Sequence, residues 1–432
     1  MLIENTTIIN FEDLTVLEGK DVLIEGERIV KIGENLLREG EVIDGSNFYL
    51  IPGLVNLHSH TAMSLLRGIA EDVSIKDWFN KHIWIYEANL QEKDVYFGTL
   101  LGAYEMLLNG VTTVFDHYFY MDHAFEAYEE IGIRADLSWT LFGTGEGHEE
   151  NFKKAMKFYE KYSGKSSRIT LSLGPHSPYI CPEEFLKEIA KLSAKENLKI
   201  HIHVSEEKWQ VEKSLKEKGR TPIKYLYDLG IVKENTILAH AYFATNEELK
   251  IIKETNSFVA HCPKTYMRFG IINNFLPKAL REKINVGIGT DGPASNSNLS
   301  VLESARDSAL LGKLSEQNAE VVKVEEVLPL LTRGAKAIRK DLGEIKEGYI
   351  ADLVLIKKNA PELQPENNIF ANILYSLSER EVDTVMVNGR IVVKNGTLLT
   401  VDIKELLKEI KEISERLRKR VREKPIQIFG EE

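Results

Sequence analysis

Over residues 1–50, short β-branched runs alternate with Gly, Asn and Asp turns, as in Asp21-Val-Leu-Ile-Glu-Gly-Glu-Arg-Ile-Val-Lys-Ile-Gly33, and this period of two predicts hairpins. After that the rhythm changes. An apolar run, a polar loop and a longer stretch of helical period repeat along the chain, with the runs at 111–116, 169–173, 200–204, 236–239, 258–260 and 286–289. Strand then helix, many times over, predicts a parallel sheet or barrel. The β pattern returns at 348–356 and 382–396, so both ends of the chain are expected to build one small β unit. Residues 402–423 carry apolar side chains at Ile403, Leu406, Leu407, Ile410, Ile413, Leu417 and Val421 on a highly charged background, which predicts an amphipathic docking helix.

Composition narrows the field. With 432 residues, 43% of them hydrophobic, the chain can bury a barrel-sized core, and disorder or coiled coil does not fit. The net charge of −11 opposes a polyanion binder, because counterion release needs clustered Lys and Arg, so no nucleic acid polymer is expected as a partner. Cys181 and Cys262 lie far apart and make no Cys-x-x-Cys pattern, which points to a reducing, cytoplasmic setting. The N-terminus has neither the basic start nor the long apolar centre of a signal peptide, and nothing reaches the ~20 apolar residues of a membrane helix. No membrane association is expected.

Candidate chemistry gathers at strand ends. The run Leu50-Ile-Pro-Gly-Leu-Val-Asn-Leu ends in His58-Ser-His60, and residues at i and i+2 of a strand face the same side. One such pair is commonly a polar strand end. Three further strand ends repeat the motif: Lys199-Ile-His201-Ile-His203-Val-Ser-Glu206, Asn235-Thr-Ile-Leu-Ala-His240, and Asn285-Val-Gly-Ile-Gly-Thr-Asp291. Parallel barrels place their active sites at the C-terminal ends of strands. His58, His60, one of His201 and His203, and Asp291 make an N3O set that suits Zn2+, or Fe2+ as the alternative, and leave one position for water. Such a cation lowers the pKa of water from about 15.7 towards ~7, as hydrolysis of an unreactive C–N or C–Cl bond requires. Glu206 and His240 are then placed to handle protons.

From Pro52-Gly-Leu-Val-Asn-Leu-His58-Ser-His60 to Gly343-Glu-Ile-Lys-Glu-Gly-Tyr-Ile-Ala-Asp-Leu-Val354, nearly the whole chain resembles the amidohydrolase superfamily. Within it the chain is similar to the deaminases of methylthioadenosine and S-adenosylhomocysteine, with guanine deaminase and chlorotriazine hydrolases as neighbouring branches. The resemblance implies an α/β fold: a (β/α)8 TIM barrel over residues 51–342, with a β-sandwich plus C-terminal helix from residues 1–50 and 343–432. It implies His58, His60, His203 and Asp291 as metal ligands, with His201 behind them. Binuclear relatives place a carboxylated Lys at the end of the fourth strand, where this chain has Gly174-Pro-His176, so one Zn2+ or Fe2+ per chain is expected. By the same resemblance Asp291 takes a proton from the attacking water, Glu206 protonates the ring nitrogen and His240 orients the nucleophile.

The expected substrate is a small nucleoside-like molecule. The resemblance assigns Glu87 to the ribose hydroxyls, Trp78 to a pocket wall, His176 to the purine and Ser295 to the pocket lining; alone, Trp78 reads as core packing and Glu87 as a solvated charge. Deaminases of S-adenosylhomocysteine carry Arg in the segment aligned with residues 137–150, but none occurs here, where Trp139 stands instead. A carboxylate without a charged partner is expensive to bury. Adenosine, 5′-deoxyadenosine and methylthioadenosine, whose small or apolar 5′ groups suit Trp139 as a substrate-binding residue of the pocket, are therefore expected above S-adenosylhomocysteine. After His261, itself read as structural, Cys262-Pro-Lys-Thr-Tyr-Met-Arg-Phe269 departs from the family pattern and leaves guanine, a pterin, a triazine or a cyclic amide as alternatives. The sandwich, the C-terminal helix and the acidic surface are compatible with a homo-oligomer.

Overall fold

The computed structural model describes residues 1–37 and 40–429; residues 38–39 and 430–432, inside the two terminal ranges above, lie outside the described residues. Five strands come first: β1 (Leu2–Ile9), β2 (Val16–Glu25), β3 (Arg28–Gly33), β4 (Val42–Asp44) and β5 (Phe48–Pro52). Gly53 then turns the chain into the barrel. A Cβ there would stand 2.0 Å from Thr112 Oγ1, so only glycine fits.

The barrel strands are β6 (Leu54–Ser59), β7 (Val111–Tyr118), β8 (Arg134–Leu141), β9 (Ile169–Pro175), β10 (Lys199–Val204), β11 (Ile237–His240), β12 (Phe258–His261) and β13 (Asn285–Ile288). They pair in parallel in chain order. The ring closes where Thr290 and Asp291 donate their backbone N–H groups to the His58 carbonyl at 3.1 and 3.0 Å. Strands β6 to β8 are buried along their whole length, because one face fills the barrel and the other meets helices. This is the (β/α)8 architecture the resemblance implies, and it settles the choice between parallel sheet and barrel that the alternating rhythm left open.

The chain then returns to the first sheet with β14 (Leu353–Lys357), β15 (Val382–Val387), β16 (Arg390–Lys394) and β17 (Thr397–Leu398), and β14 pairs with β5. The two termini thus form one nine-stranded sheet. It curls over its own core: Ile29 on β3 donates to the Tyr349 carbonyl at 2.9 Å, and Ile3, Val22, Leu50, Leu353 and Met386 pack inside. At the N-terminal end of β8, buried Arg134 ties barrel to sheet through two hydrogen bonds to Asp352, at 2.8 and 3.1 Å.

The helix Ile403–Arg418 buries Leu406, Ile413 and Leu417 of the predicted stripe, whereas Leu407 is exposed and Val421 lies exposed beyond the helix end. That stripe faces the barrel helix Glu92–Leu108, where Arg416 pairs with Asp94. Among the described residues, no helix is long and apolar enough to cross a membrane.

Candidate active site

The strand-end residues converge on one point. His58 and His60 leave β6, His201 and His203 sit on β10, His240 ends β11, and Asp291 follows β13. Each of three rings spends its Nδ1 on a neighbour: His58 on His201 Nε2 at 2.8 Å, His60 on the His117 carbonyl, and His203 on the His176 carbonyl at 2.9 Å. Their Nε2 atoms are thereby turned inward. His60 and His203 bring theirs to 3.2 Å, and Asp291 Oδ1 lies 3.2 Å from His60 Nε2 and 3.5 Å from His58 Nε2. His58 Nε2 is buried and has no hydrogen-bond partner among the described residues.

Lone pairs facing one another across 3.2 Å, with a carboxylate beside them, repel unless a positive charge lies between. The same conclusion follows from the rings' basicity. Burial pushes His58 down to about 4 and His203 well below the ordinary imidazole value, so both are neutral ligands. Burial also opposes charge on His60, yet Asp291 outweighs it and raises that ring, which shows where positive charge is most favoured. His58, His60 and His203, together with Asp291 and His240, offer ligand atoms within 4.8 Å of one another in two overlapping groups. The site is built to hold a metal cofactor, and the imidazole-rich N3O donor set fits zinc or iron. His201 stands one layer below, orienting His58.

Around this point the acids are pushed apart. Burial works to raise Asp291, but His58 and His60 outweigh it and hold the carboxylate well below its usual range. Thr265 and Ser295 hydroxyls also donate to its Oδ2 at 2.9 and 2.8 Å. Glu206 moves the other way: burial first, then the charge of Asp291, lift it well above the normal carboxylate range and favour its protonated form. His240 Nε2 lies 3.8 Å from Glu206, and burial holds that ring down to about 3, hence neutral. His240 and Asp291 take φ of +72° and +59°, left-handed backbone that non-glycine residues avoid unless the surroundings enforce it.

A cavity opens above this point. His60, Trp78, Glu87, His176, His203, Glu206, His240, Asp291 and Ser295 line it. Burial raises Glu87 to about 7, against the influence of Tyr118 and His60, and lowers His176 to about 3.

Trp139 is a correction. It does not line the cavity; its Nε1 donates to Asn151 Oδ1 at 2.8 Å and its ring packs on Phe158. Side chains alternate along a strand, so on β8 the neighbouring Thr140 faces inward and meets His117 Nδ1 at 3.0 Å. Sequence reasoning also missed His117 and Tyr118, although the β7 run ends in Asp-His-Tyr much as β6 ends in His-Ser-His. It missed the roles of Thr265 on Asp291 and of Phe269, which lines the cavity within the unusual 262–269 segment.

Residues 49–392 match the amidohydrolase family. The chain belongs to that family. Similar to this amidohydrolase is a "5′-deoxyadenosine deaminase" of Methanocaldococcus jannaschii, 41% identical over 92% of this chain and 97% of the relative. A "5-methylthioadenosine/S-adenosylhomocysteine deaminase" of Pyrococcus furiosus is 40% identical over 96% of this chain and 100% of the relative. Among solved structures, an adenosine deaminase from Xanthomonas campestris with bound zinc superposes with a TM-score of 0.92 at 27% identity, covering 97% of this chain and 98% of that one.

Proposed function

We propose that this amidohydrolase hydrolytically deaminates adenosine analogues, adding water at the carbon that bears the amino group and releasing ammonia and the inosine analogue. What carries the reading is a pair of carboxyls lining one cavity and pushed in opposite directions: His58 and His60 favour the ionised form of Asp291, while burial and the charge of Asp291 favour the protonated form of Glu206. A mechanism that must take a proton from water and give one to a ring nitrogen needs both at once. His58, His60, His203 and Asp291 would hold one Zn2+ or Fe2+ per chain, whose chemistry is to acidify the attacking water. Asp291 accepts the proton from that water and passes it towards the leaving amino group. Glu206 delivers its proton to the ring nitrogen beside the attacked carbon. His240, neutral and 3.8 Å from Glu206, orients the nucleophile.

Glu87 receives the ribose hydroxyls, while Trp78 and His176 flank the purine and Ser295 steadies Asp291. Neither Lys nor Arg lines the cavity among the described residues, which disfavours a 5′ substituent ending in a carboxylate. Adenosine, 5′-deoxyadenosine and methylthioadenosine are therefore the preferred substrates and S-adenosylhomocysteine a weaker one, in line with the names of the relatives above. Both cysteines are free and buried, consistent with a cytoplasmic enzyme.

Ammonia release by metal-replete protein from these four nucleosides, guanine and a pterin tests the proposal. The small 5′-substituted adenosines should rank first. Preferential turnover of guanine or the pterin would overturn it.

A further inference from the structure

Chain ends usually fray, because few contacts offset the entropy lost on ordering them. The C-terminal segment here is instead tied down. Residues 419–429 form no helix or strand, yet two side-chain amides in the connection that follows β6 clamp them. Asn89 Oδ1 accepts from the N–H groups of Val421 and Arg422, both at 2.9 Å. Asn80 and the Phe429 backbone bond each other in both directions at 2.8 Å.

Those clamps place one ring. Phe429 is 1% exposed, stacks on Phe79 with centroids 4.2 Å apart, and meets the faces or edges of Tyr179 and Trp209 at 5.7 and 5.5 Å. Phe79, Tyr179 and Trp84 line the catalytic cavity, whereas Phe429 and Trp209 line an outer groove that meets it at Ile75 and also carries Lys76, Glu207 and Lys216. Phe429 therefore stands in the partition between an apolar-walled chamber and a groove bearing both signs of charge.

We propose that Phe429 is a specificity-determining residue, which backs the aromatic wall of the cavity and excludes substrates with a long or zwitterionic 5′ group. The inference rests on the deaminase reading, in which the purine lies at Glu206 and Asp291 and the ribose at Glu87. On that reading we take the 5′ end to lie against the aromatic part of the cavity wall, formed by Phe79, Trp84 and Tyr179. With the Phe429 ring in place, an aminoacyl end must shed its water against aromatic rings. Without it, the cavity joins a groove that offers that end a cation, an anion and solvent.

The test compares full-length, metal-loaded wild type with Phe429→Ala, Phe429→Leu and Asn80→Ala, measuring kcat/KM for 5′-deoxyadenosine and S-adenosylhomocysteine and the Tm of each protein. Phe429→Ala should raise the ratio of S-adenosylhomocysteine to 5′-deoxyadenosine by about tenfold or more, mainly through KM. Asn80→Ala should move it the same way, and the bulkier Phe429→Leu should stay within about threefold of wild type. An unchanged ratio in Phe429→Ala and Asn80→Ala, or an equal loss on both substrates with a lower Tm, would overturn the inference while leaving the deaminase reading intact. Failure of that reading has a different signature: wild type releases no ammonia from either nucleoside, and the inference falls with it.

Discussion

The two ends of the catalytic cavity are built by different rules. At the floor, His58, His60, His203 and Asp291 project from barrel strands or directly follow them, and each is fixed by a named hydrogen bond or close polar contact. At the mouth, Trp78, Phe79 and Trp84 come from the short helical pieces of residues 75–87 in the connection after β6, and Tyr179 from the connection after β9; ring packing and a hydrogen bond from Trp78 Nε1 to the Ala294 carbonyl at 3.3 Å hold them, backed by residues 419–429, which form no helix or strand. The floor is placed by a ladder whose register cannot slip without unmaking the barrel. The mouth is placed by contacts that can be exchanged one ring at a time. In the proposed reading, reaction chemistry sits on the rigid part and substrate choice on the replaceable part.

The largest way to break that contrast is at the floor. Asp291→Asn should keep the fold, since Asn is isosteric, yet lower kcat/KM on the order of 10^3-fold or more for every substrate alike; an effect on one substrate only would mean that Asp291 selects rather than reacts. His201→Asn leaves the inward-facing ligand atoms in place but removes the partner of His58 Nδ1, so metal affinity should fall about 10- to 100-fold in a chelator competition, with activity recovered at excess metal. Unchanged affinity would make His201 packing alone.

Smaller effects sharpen the mouth. Glu87→Gln should raise KM for ribosides about tenfold with kcat within about threefold, because it touches the substrate away from the reacting carbon. A matching fall in kcat would place Glu87 in the proton chemistry. Trp139→Phe should leave kcat/KM within about twofold and lower unfolding stability by about 1 kcal/mol in a urea titration, the worth of its bond to Asn151. A shift in substrate preference would return Trp139 to the cavity wall.

Much of the floor is legible in the order of residues along the chain. His58 and His60, and His201 and His203, share strand faces by the period of two alone, and apolar runs ending in His240 or leading to Asp291 mark the ends where barrels do chemistry. The same period cannot say which of His201 and His203 reaches the metal point, because both face inward and only their height in the barrel separates them. Nor can it say which parity of β8 looks inward, which is why Trp139 is expected in the pocket although Thr140 faces it.

The sequence by itself determined the alternation of strands and helices, the residue types at the strand ends and the absence of Arg from residues 137–150, because these are local properties of short windows. Only the tertiary structure decided that Thr265 would steady Asp291 across 26 positions, that His117 would join the ring of imidazoles, and that the aromatic wall would be backed by Phe429 from the far end of the chain. Those meetings depend on how the barrel closes and where its loops come to rest. No periodicity in the chain encodes them, since they bring together residues that share no window of sequence.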